Sequence, residues 1–192
     1  CEALREAISR FEQVNMEEIL CGNGAAELFF AAVQAVWPQK ALVIAPSFSE
    51  YEEALRSVGA EVEYYYLCEE DNFQIREDYV DKLSEEIDMI FLCNPNNPTG
   101  QTIDRDMLIK ILDRCKKQNI VVILDECFLE FLDEPNRYEM SDLRGEYPNL
   151  LIIKAFTKIF SMPGLRLGYA ISSNQDILEE MSWKLQQWNV SV

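Results

Sequence analysis

Six short apolar runs alternate along the chain with amphipathic stretches, and this alternation constrains the fold more than any other feature. Runs such as 121–124 (Val-Val-Ile-Leu) do not alternate polar with apolar residues, so both faces of each strand should be covered. A mainly parallel sheet between two helical layers meets that requirement. The sequence therefore predicts an α/β fold with three layers, α/β/α, and strands at 41–45, 61–67, 88–93, 120–124, 150–153 and 169–172.

The amphipathic stretches predict the helices. Residues 104–117 place five apolar side chains on one face of a helix, namely Met107, Leu108, Ile111, Leu112 and Cys115. Similar spacing predicts helices at 25–36, 49–58, 77–86 and 176–187. The chain has no repeat and no Gly/Ser linker, so we expect a single domain over residues 1–192. Because it opens without Met inside a predicted helix and stops just after another, we expect a piece of a longer protein, incomplete at both ends.

Charge and composition limit the kinds of partner that the chain can bind. Seventeen Lys and Arg stand against 34 Asp and Glu, a net charge of -17 in 192 residues, which argues against nucleic acid and anionic membranes. Any anionic ligand must therefore be held by a local cluster of donors and cations. No segment approaches the roughly 20 apolar residues that span a bilayer. The six cysteines form no CxxC pair and are typical of small buried residues in a reducing compartment, so we expect a cytoplasmic protein.

The chain contains no histidine, which excludes several kinds of site. Ser-His-Asp and Cys-His nucleophile pairs, HExxH zinc sites and His-ligated haem all require that residue. We predict no metal site. The remaining chemistry belongs to Lys, Arg, Asp, Tyr and Cys side chains, or to a cofactor.

Ligands in α/β folds gather where strands end and helices begin, so the residues at those junctions are the candidates. Gly22-Asn23-Gly24 precedes the helix at 25–36, where free N–H groups and the helix dipole favour a phosphate. The alternative is a plain loop with Asn23 as the helix cap. We predict no strand directly before this segment, and it lacks the GxGxxG spacing of dinucleotide sites.

Two further junctions carry polar side chains. The two X-Pro steps of Asn94-Pro95-Asn96-Asn97-Pro98-Thr99-Gly100 predict an extended, rigid loop that presents the Asn97 amide; a turn-rich connection is the alternative. Asp125 ends an apolar strand, where burial is costly unless a donor or cation meets the carboxylate. The alternative there is an ordinary strand-end cap or salt bridge.

A lysine and an arginine follow the strand at 150–153. Lys158 lies in a moderately apolar stretch, where its pKa could be lowered enough for an amine nucleophile, and Arg166 follows eight residues later as an anion partner. A solvated surface lysine is the alternative for Lys158 taken alone.

The joint order of these motifs, with Phe48 after Pro46, resembles the fold-type I pyridoxal-phosphate enzymes of the class I/II aminotransferase family over nearly the whole chain. Asp125-Glu126, the string 162–168 (Met-Pro-Gly-Leu-Arg-Leu-Gly) and the closing 186–190 (Gln-Gln-Trp-Asn-Val) are similar to the branch that holds histidinol-phosphate aminotransferase and threonine-phosphate decarboxylase. Phe128, where aminotransferases of the branch usually carry Tyr, and the segment around Trp188 favour the decarboxylase, an enzyme of cobalamin biosynthesis.

The resemblance implies a role for each motif. Lys158 would form the Schiff base with pyridoxal 5'-phosphate and shuttle protons, and Asp125 would pair with the pyridinium nitrogen. Phe48 would stack on the ring and Asn97 would hydrogen-bond its hydroxyl. The phosphate would meet a set of groups at two junctions, namely Gly24, Ala25, Ala26, Thr157 and Arg166.

The resemblance also implies an architecture and a substrate. The chain would be the cofactor-binding large domain, with the small domain absent or truncated. The full-length form would be a homodimer acting on an amino acid or amine, which the resemblance to this branch implies to be phosphorylated. Decarboxylation and transamination stay open, because the groups that separate them lie largely outside the chain. A phosphate- or nucleotide-binding module without catalysis and an inactive scaffold are alternatives of another class.

Two residues depart from the family pattern. Phe128 has no hydroxyl to reach the ring oxygen, and Ala155 stands where many relatives have a Ser or Thr at the phosphate. Each missing hydrogen bond is expected to weaken cofactor binding by about 1 kcal/mol. Neither departure abolishes the predicted site.

Overall fold

A seven-stranded sheet forms the centre of the molecule, in the computed structural model that describes residues 2–190. Its strand order is β1-β7-β6-β5-β4-β2-β3. The strands are β1 (Ile19–Gly22), β2 (Lys40–Ala45), β3 (Glu61–Tyr66), β4 (Met89–Cys93), β5 (Val121–Asp125), β6 (Leu150–Ala155) and β7 (Gly168–Ile171).

The sheet is mainly parallel. Strands β2 to β6 pair in parallel, whereas β7 runs antiparallel to both β6 and β1. Because β7 reverses, it begins at the edge where β6 and β1 end: Gly168 pairs with Ala155 on one side and with Gly22 on the other. The carboxyl ends of all the other strands and the amino end of β7 therefore share one edge.

Helices cover both faces of the sheet, which confirms the predicted three-layer α/β/α fold. Buried side chains of α1, α4 and α5 pack on one face, and those of α2, α3 and α7 pack on the other. The helices are α1 (Glu2–Glu12), α2 (Ala25–Val36), α3 (Glu50–Ser57), α4 (Asp78–Lys82), α5 (Arg105–Gln118), the short α6 (Phe156–Ile159) and α7 (Gln175–Lys184).

The structure corrects three of the predicted elements. Strand β1, which was not predicted, lies directly before Asn23; with four residues and a terminal glycine it is too short to show an apolar run. Helix α4 ends at Lys82 rather than at residue 86, since Leu83 leaves the helix and is buried in the core. Helix α7 ends at Lys184 because Leu185 is extended.

Between residues 2 and 190 no helix is both long and apolar enough to cross a bilayer. Over the same range no group of Cys, Asp and Glu side chains is arranged to hold a metal ion. Three of the five cysteines there, Cys21, Cys93 and Cys115, are buried, and all five are free thiols. Cys1 lies outside the described residues.

Candidate active site

One cavity at the shared sheet edge brings the predicted site residues together. It encloses about 140 Å³, and eight of the nine residues proposed to bind a cofactor line it. They are Ala25, Ala26, Phe48, Asn97, Asp125, Thr157, Lys158 and Arg166; Phe29, Cys127, Phe128 and Ala155 complete the wall. The eight predicted residues come from strand ends and the loops after them, from the starts of α2 and α6, or, for Arg166, from the loop just before β7, so the topology of the sheet explains their convergence.

The ninth residue, Gly24, lies behind one wall of the cavity and forms a cup with β7. Its φ of +87° is in the left-handed region, and a Cβ there would lie 3.3 Å from the Arg166 guanidinium. A Cβ on Gly168 would lie 2.7 Å from the backbone of Gly24 and 2.8 Å from Ala25 N. The start of α2 is therefore pressed against β7 and Arg166, and its first N–H groups have no partner within the helix. This arrangement fits a phosphate.

We expect Gly168→Ala to open this cup. The new methyl group would meet backbone atoms that have no side chain to move aside, so overpacking should cost about 1–3 kcal/mol of unfolding free energy. Chemical denaturation of the full chain measures it. Gly145→Ala is the matched control, because apart from its two neighbours in sequence no atom of the described chain lies within 4 Å of its Cβ position. Equal stability of the two variants would contradict the close approach.

The segment from Asn94 to Gly100 is a tight turn, which corrects the predicted extended loop. Gly100 N donates to Asn96 O at 2.7 Å, and the Asn94 side chain accepts from Ile103 N at 2.9 Å. The Asn96 amide donates to Pro46 O at 3.1 Å, which ties the turn to the end of β2. These bonds, rather than the prolines alone, hold the loop, and Asn97 lines the cavity.

Asp125 is buried at the end of β5, and both of its carboxylate oxygens have donors. Tyr51 Oη donates to Oδ2 at 2.6 Å, and Cys127 N donates to Oδ1 at 2.9 Å. Burial raises the pKa of Asp125 above its usual value, while the bonds from Cys127 and Tyr51 counteract that shift. Among residues 2–190 it makes no ion pair, so the salt-bridge alternative does not apply there.

Tyr51 was missed by the sequence analysis, although it lies one helical turn after Phe48. Its ring is fully buried, stacks on Phe91 at 4.8 Å between centroids, and meets Phe29 and Phe48 edge to face. This packing fixes the direction of the hydroxyl toward Asp125. Tyr51 therefore supports the acid at the cavity without lining the cavity itself.

We expect Tyr51→Phe to cost about 1–3 kcal/mol of unfolding free energy at neutral pH, because a buried carboxylate loses a donor. The loss should be smaller near pH 4, where more of Asp125 is protonated, since its folded pKa is raised above the usual value. Denaturation at both pH values measures this difference.

Tyr79→Phe is the matched control for this substitution. The Tyr79 hydroxyl is equally buried and has no hydrogen-bond partner among residues 2–190, so its removal should not destabilise the chain. If both variants lose the same free energy of unfolding at both pH values, the hydrogen bond from Tyr51 to Asp125 does not contribute the stability expected here.

Lys158 lies in α6, immediately after β6, and lines the same cavity as Asp125. Its side chain is exposed at the mouth, and Nζ lies 5.7 Å from the centroid of the Phe128 ring. Phe128 offers this amine a ring face and no hydroxyl. The cavity therefore holds an amine and a buried carboxylate together, with a phosphate-type cup at its other side.

The helix cap proposed for Asn23 is not formed. Gly24 occupies the cap position of α2 without a side-chain bond, and Asn23 N donates to Glu27 Oε2 at 2.7 Å. The Asn23 side chain also contacts Asn189, near the end of the described chain. Phe29 and Cys127 were not predicted as wall residues, since neither lies in a recognisable motif.

The chain is similar to known proteins over nearly all of its length. A family model described as "Aminotransferase class I and II" matches residues 1–191. The chain is 36% identical to threonine-phosphate decarboxylase of Salmonella typhimurium over 98% of its own length and 51% of that protein. It is 35% identical to histidinol-phosphate aminotransferase of Ruminiclostridium cellulolyticum, over 90% of the chain and 48% of that protein.

A solved structure is similar as well. The histidinol-phosphate aminotransferase of Clostridium acetobutylicum superposes with a TM-score of 0.88 and 33% identity, over 97% of this chain and 55% of that one. The chain thus spans about half the length of the curated relatives it matches.

Proposed function

The chain belongs to the class I and II aminotransferase family, and from this membership we propose that residues 1–192 are the cofactor-binding large domain of a pyridoxal-phosphate-dependent enzyme. The family depends on that cofactor. The observation that carries the proposal is the convergence of Lys158, Asp125 and the Gly24–Arg166 cup on one cavity. Neither a bare phosphate-binding module nor a scaffold needs an amine beside a buried carboxylate.

The chain's own residues divide the work of holding the cofactor. Lys158 provides the amine for covalent attachment, and Asp125 provides a negative charge in a buried setting. Arg166, Thr157 and the first N–H groups of α2 receive the phosphate, which reconciles an anionic ligand with a net charge of -17. Phe48 would pack on the ring and the Asn97 amide would donate to its hydroxyl, since both side chains line the cavity. When bound, pyridoxal phosphate supplies an aldehyde that captures amines and a ring that accepts electron density.

The substrate is proposed to be a phosphorylated amino acid or amine, with threonine phosphate the first choice and decarboxylation the reaction. Similarity to the Salmonella decarboxylase over 98% of the chain supports this choice, as does Phe128 in the cavity wall. Histidinol-phosphate transamination is the second candidate, supported by the fold match to the Clostridium enzyme.

The experiment uses the full-length protein loaded with pyridoxal phosphate. Borohydride reduction followed by peptide mapping should label Lys158; a folded protein without label would refute the cofactor proposal. Threonine phosphate should then release carbon dioxide. Histidinol phosphate with an oxo-acid acceptor should yield no oxo product, and the opposite pattern would select transamination.

The full-length protein is also proposed to be a homodimer. Large apolar side chains close in sequence to cavity residues are exposed in the single chain, among them Phe131, Phe160 and Leu165. Such a group on a protein surface is typical of a contact with another chain. Sedimentation velocity of the full-length protein should give the mass of two chains, and a monomer at micromolar concentration would refute this.

A further inference from the structure

A buried lysine outside the cavity is surrounded by four carboxylates. Lys154, in β6, is 4% exposed. Its Nζ lies 2.9 Å from Glu12 Oε2, 3.1 Å from Glu139 Oε1, 3.7 Å from Glu126 Oε2 and 3.9 Å from Glu130 Oε1. We call these five residues the Lys154 cluster. The function proposed for the cavity does not involve any residue of this cluster.

The cluster joins α1, the end of β5 and the connection between β5 and β6 to strand β6. Glu12 ends α1, Glu126 follows β5, and Glu130 and Glu139 come from the long connection between β5 and β6. The Tyr169 hydroxyl donates to Glu12 from β7, and Met140 N donates to Glu126 Oε1 at 3.3 Å. A single ammonium group is thus the common partner of these segments.

The charges make this lysine hard to replace. Burial lowers the pKa of Lys154, but the negative charges of Glu126, Glu12 and Glu139 together have the larger effect. The pKa is therefore raised and the side chain stays charged. Burial raises the pKa of Glu126, and the charge of Lys154 opposes that rise. Without the lysine, several buried or half-buried carboxylates would face one another with no cation between them.

The cluster lies directly behind the cavity, across the sheet. Glu126 is adjacent to Asp125, and Lys154 precedes Lys158 by four residues. Glu126 N donates to Ile153 O at 2.9 Å, so the cluster and the cavity share the ends of β5 and β6. Neighbouring strand residues point to opposite faces, which puts Lys154 on the face of α1 and α5 and Asp125 on the face of α2 and α3.

We propose that Lys154 is a positioning residue for the cofactor site, one that holds the ends of β5 and β6 so that Asp125 and Lys158 face the same cavity. This inference rests on the proposed function. It extends that function to residues that would never touch the cofactor. A merely structural lysine would affect stability without changing how the cavity binds pyridoxal phosphate.

The test compares pyridoxal-phosphate affinity and the pH midpoint of the bound cofactor's absorption in full-length variants. At a temperature where circular dichroism shows it folded, Lys154→Met should bind about 10-fold more weakly or worse, with a shifted midpoint. Lys154→Arg keeps the charge and should stay within about 3-fold of wild type. If Lys154→Met does not fold, Glu12→Gln, which only neutralises one partner, should weaken binding by about 3-fold.

Lys40→Met is the matched control. Lys40 is also in the sheet and has three carboxylate partners, Glu61, Glu63 and Glu86, but it begins β2 at the opposite edge. The Lys40→Met substitution should lower the melting temperature without changing the affinity for pyridoxal phosphate. Wild-type affinity and midpoint in a folded Lys154→Met or Glu12→Gln, or equal weakening by Lys40→Met, would overturn the proposal. Wild-type protein that binds no pyridoxal phosphate would instead overturn the proposed function, before any variant is compared.

Discussion

Lys158→Ala should lower turnover of the full-length enzyme by about 10³-fold or more, since the variant loses both the amine of attachment and the group that moves protons in the cavity. Borohydride should no longer attach pyridoxal phosphate to residue 158. The cofactor should still bind reversibly, because the phosphate cup of Gly24, Gly168 and Arg166 does not include the lysine. Steady-state kinetics and peptide mapping measure the two losses.

Lys110→Ala is the control for this substitution. Lys110 is an exposed lysine in α5 whose Nζ pairs with Glu77 at 2.6 Å, so the variant removes the same charge without reaching the cavity. It should keep wild-type turnover. Substantial turnover by Lys158→Ala, or a borohydride label on another lysine, would refute the assignment of the amine.

Asp125→Ala should separate attachment from chemistry. We expect the variant to keep some covalent adduct at Lys158, because the amine and the phosphate cup are intact. Turnover should fall by about 10³-fold, since the cofactor ring loses the negative charge that favours its protonated form. The adduct is measured by borohydride trapping and the turnover by initial rates on the same sample.

Asp113→Ala provides a matched comparison for that variant. Asp113 in α5 also accepts a tyrosine hydroxyl, from Tyr147 at 2.9 Å, but lies outside the cavity lining. Its loss should affect stability alone. Full activity in Asp125→Ala would remove the electronic role proposed for the carboxylate.

Much of the fold could be predicted because strands β2, β4, β5 and β6 are buried on both faces, whereas the edge strand β3 is mostly exposed or half-buried. Their apolar runs stand out in the sequence, and the predicted starts and ends differ from the observed ones by about one or two residues. Strand β1 was not predicted because a four-residue edge strand is too short to show an apolar run in the sequence. The predicted end of β6 at Ile153 was early because Lys154, a buried charge, looks like a strand boundary.

Part of the candidate site could be predicted because polar or charged residues stand at strand ends or soon after them in the sequence. Asn97, Asp125 and Lys158 are such residues, and the parallel sheet brings them to one edge. Tyr51 and Lys154 could not be found in this way, since each acts through a partner distant in sequence. Tyr51 is 74 residues from Asp125, and Lys154 is 142 residues from Glu12. Only three-dimensional packing joins such pairs.

The reversal of β7 has a consequence for how the cavity is encoded. A parallel return from β6 would need a crossover that carries the chain back to the opposite edge of the sheet before the next strand begins. The antiparallel return instead keeps the whole hairpin connection, residues 156–167, at one edge, so both Lys158 and Arg166 lie there, with Ala155 pairing with Gly168. One small insertion or deletion in that hairpin would thus disconnect the amine from the phosphate cup, while the parallel strands that supply Asn97 and Asp125 kept their register.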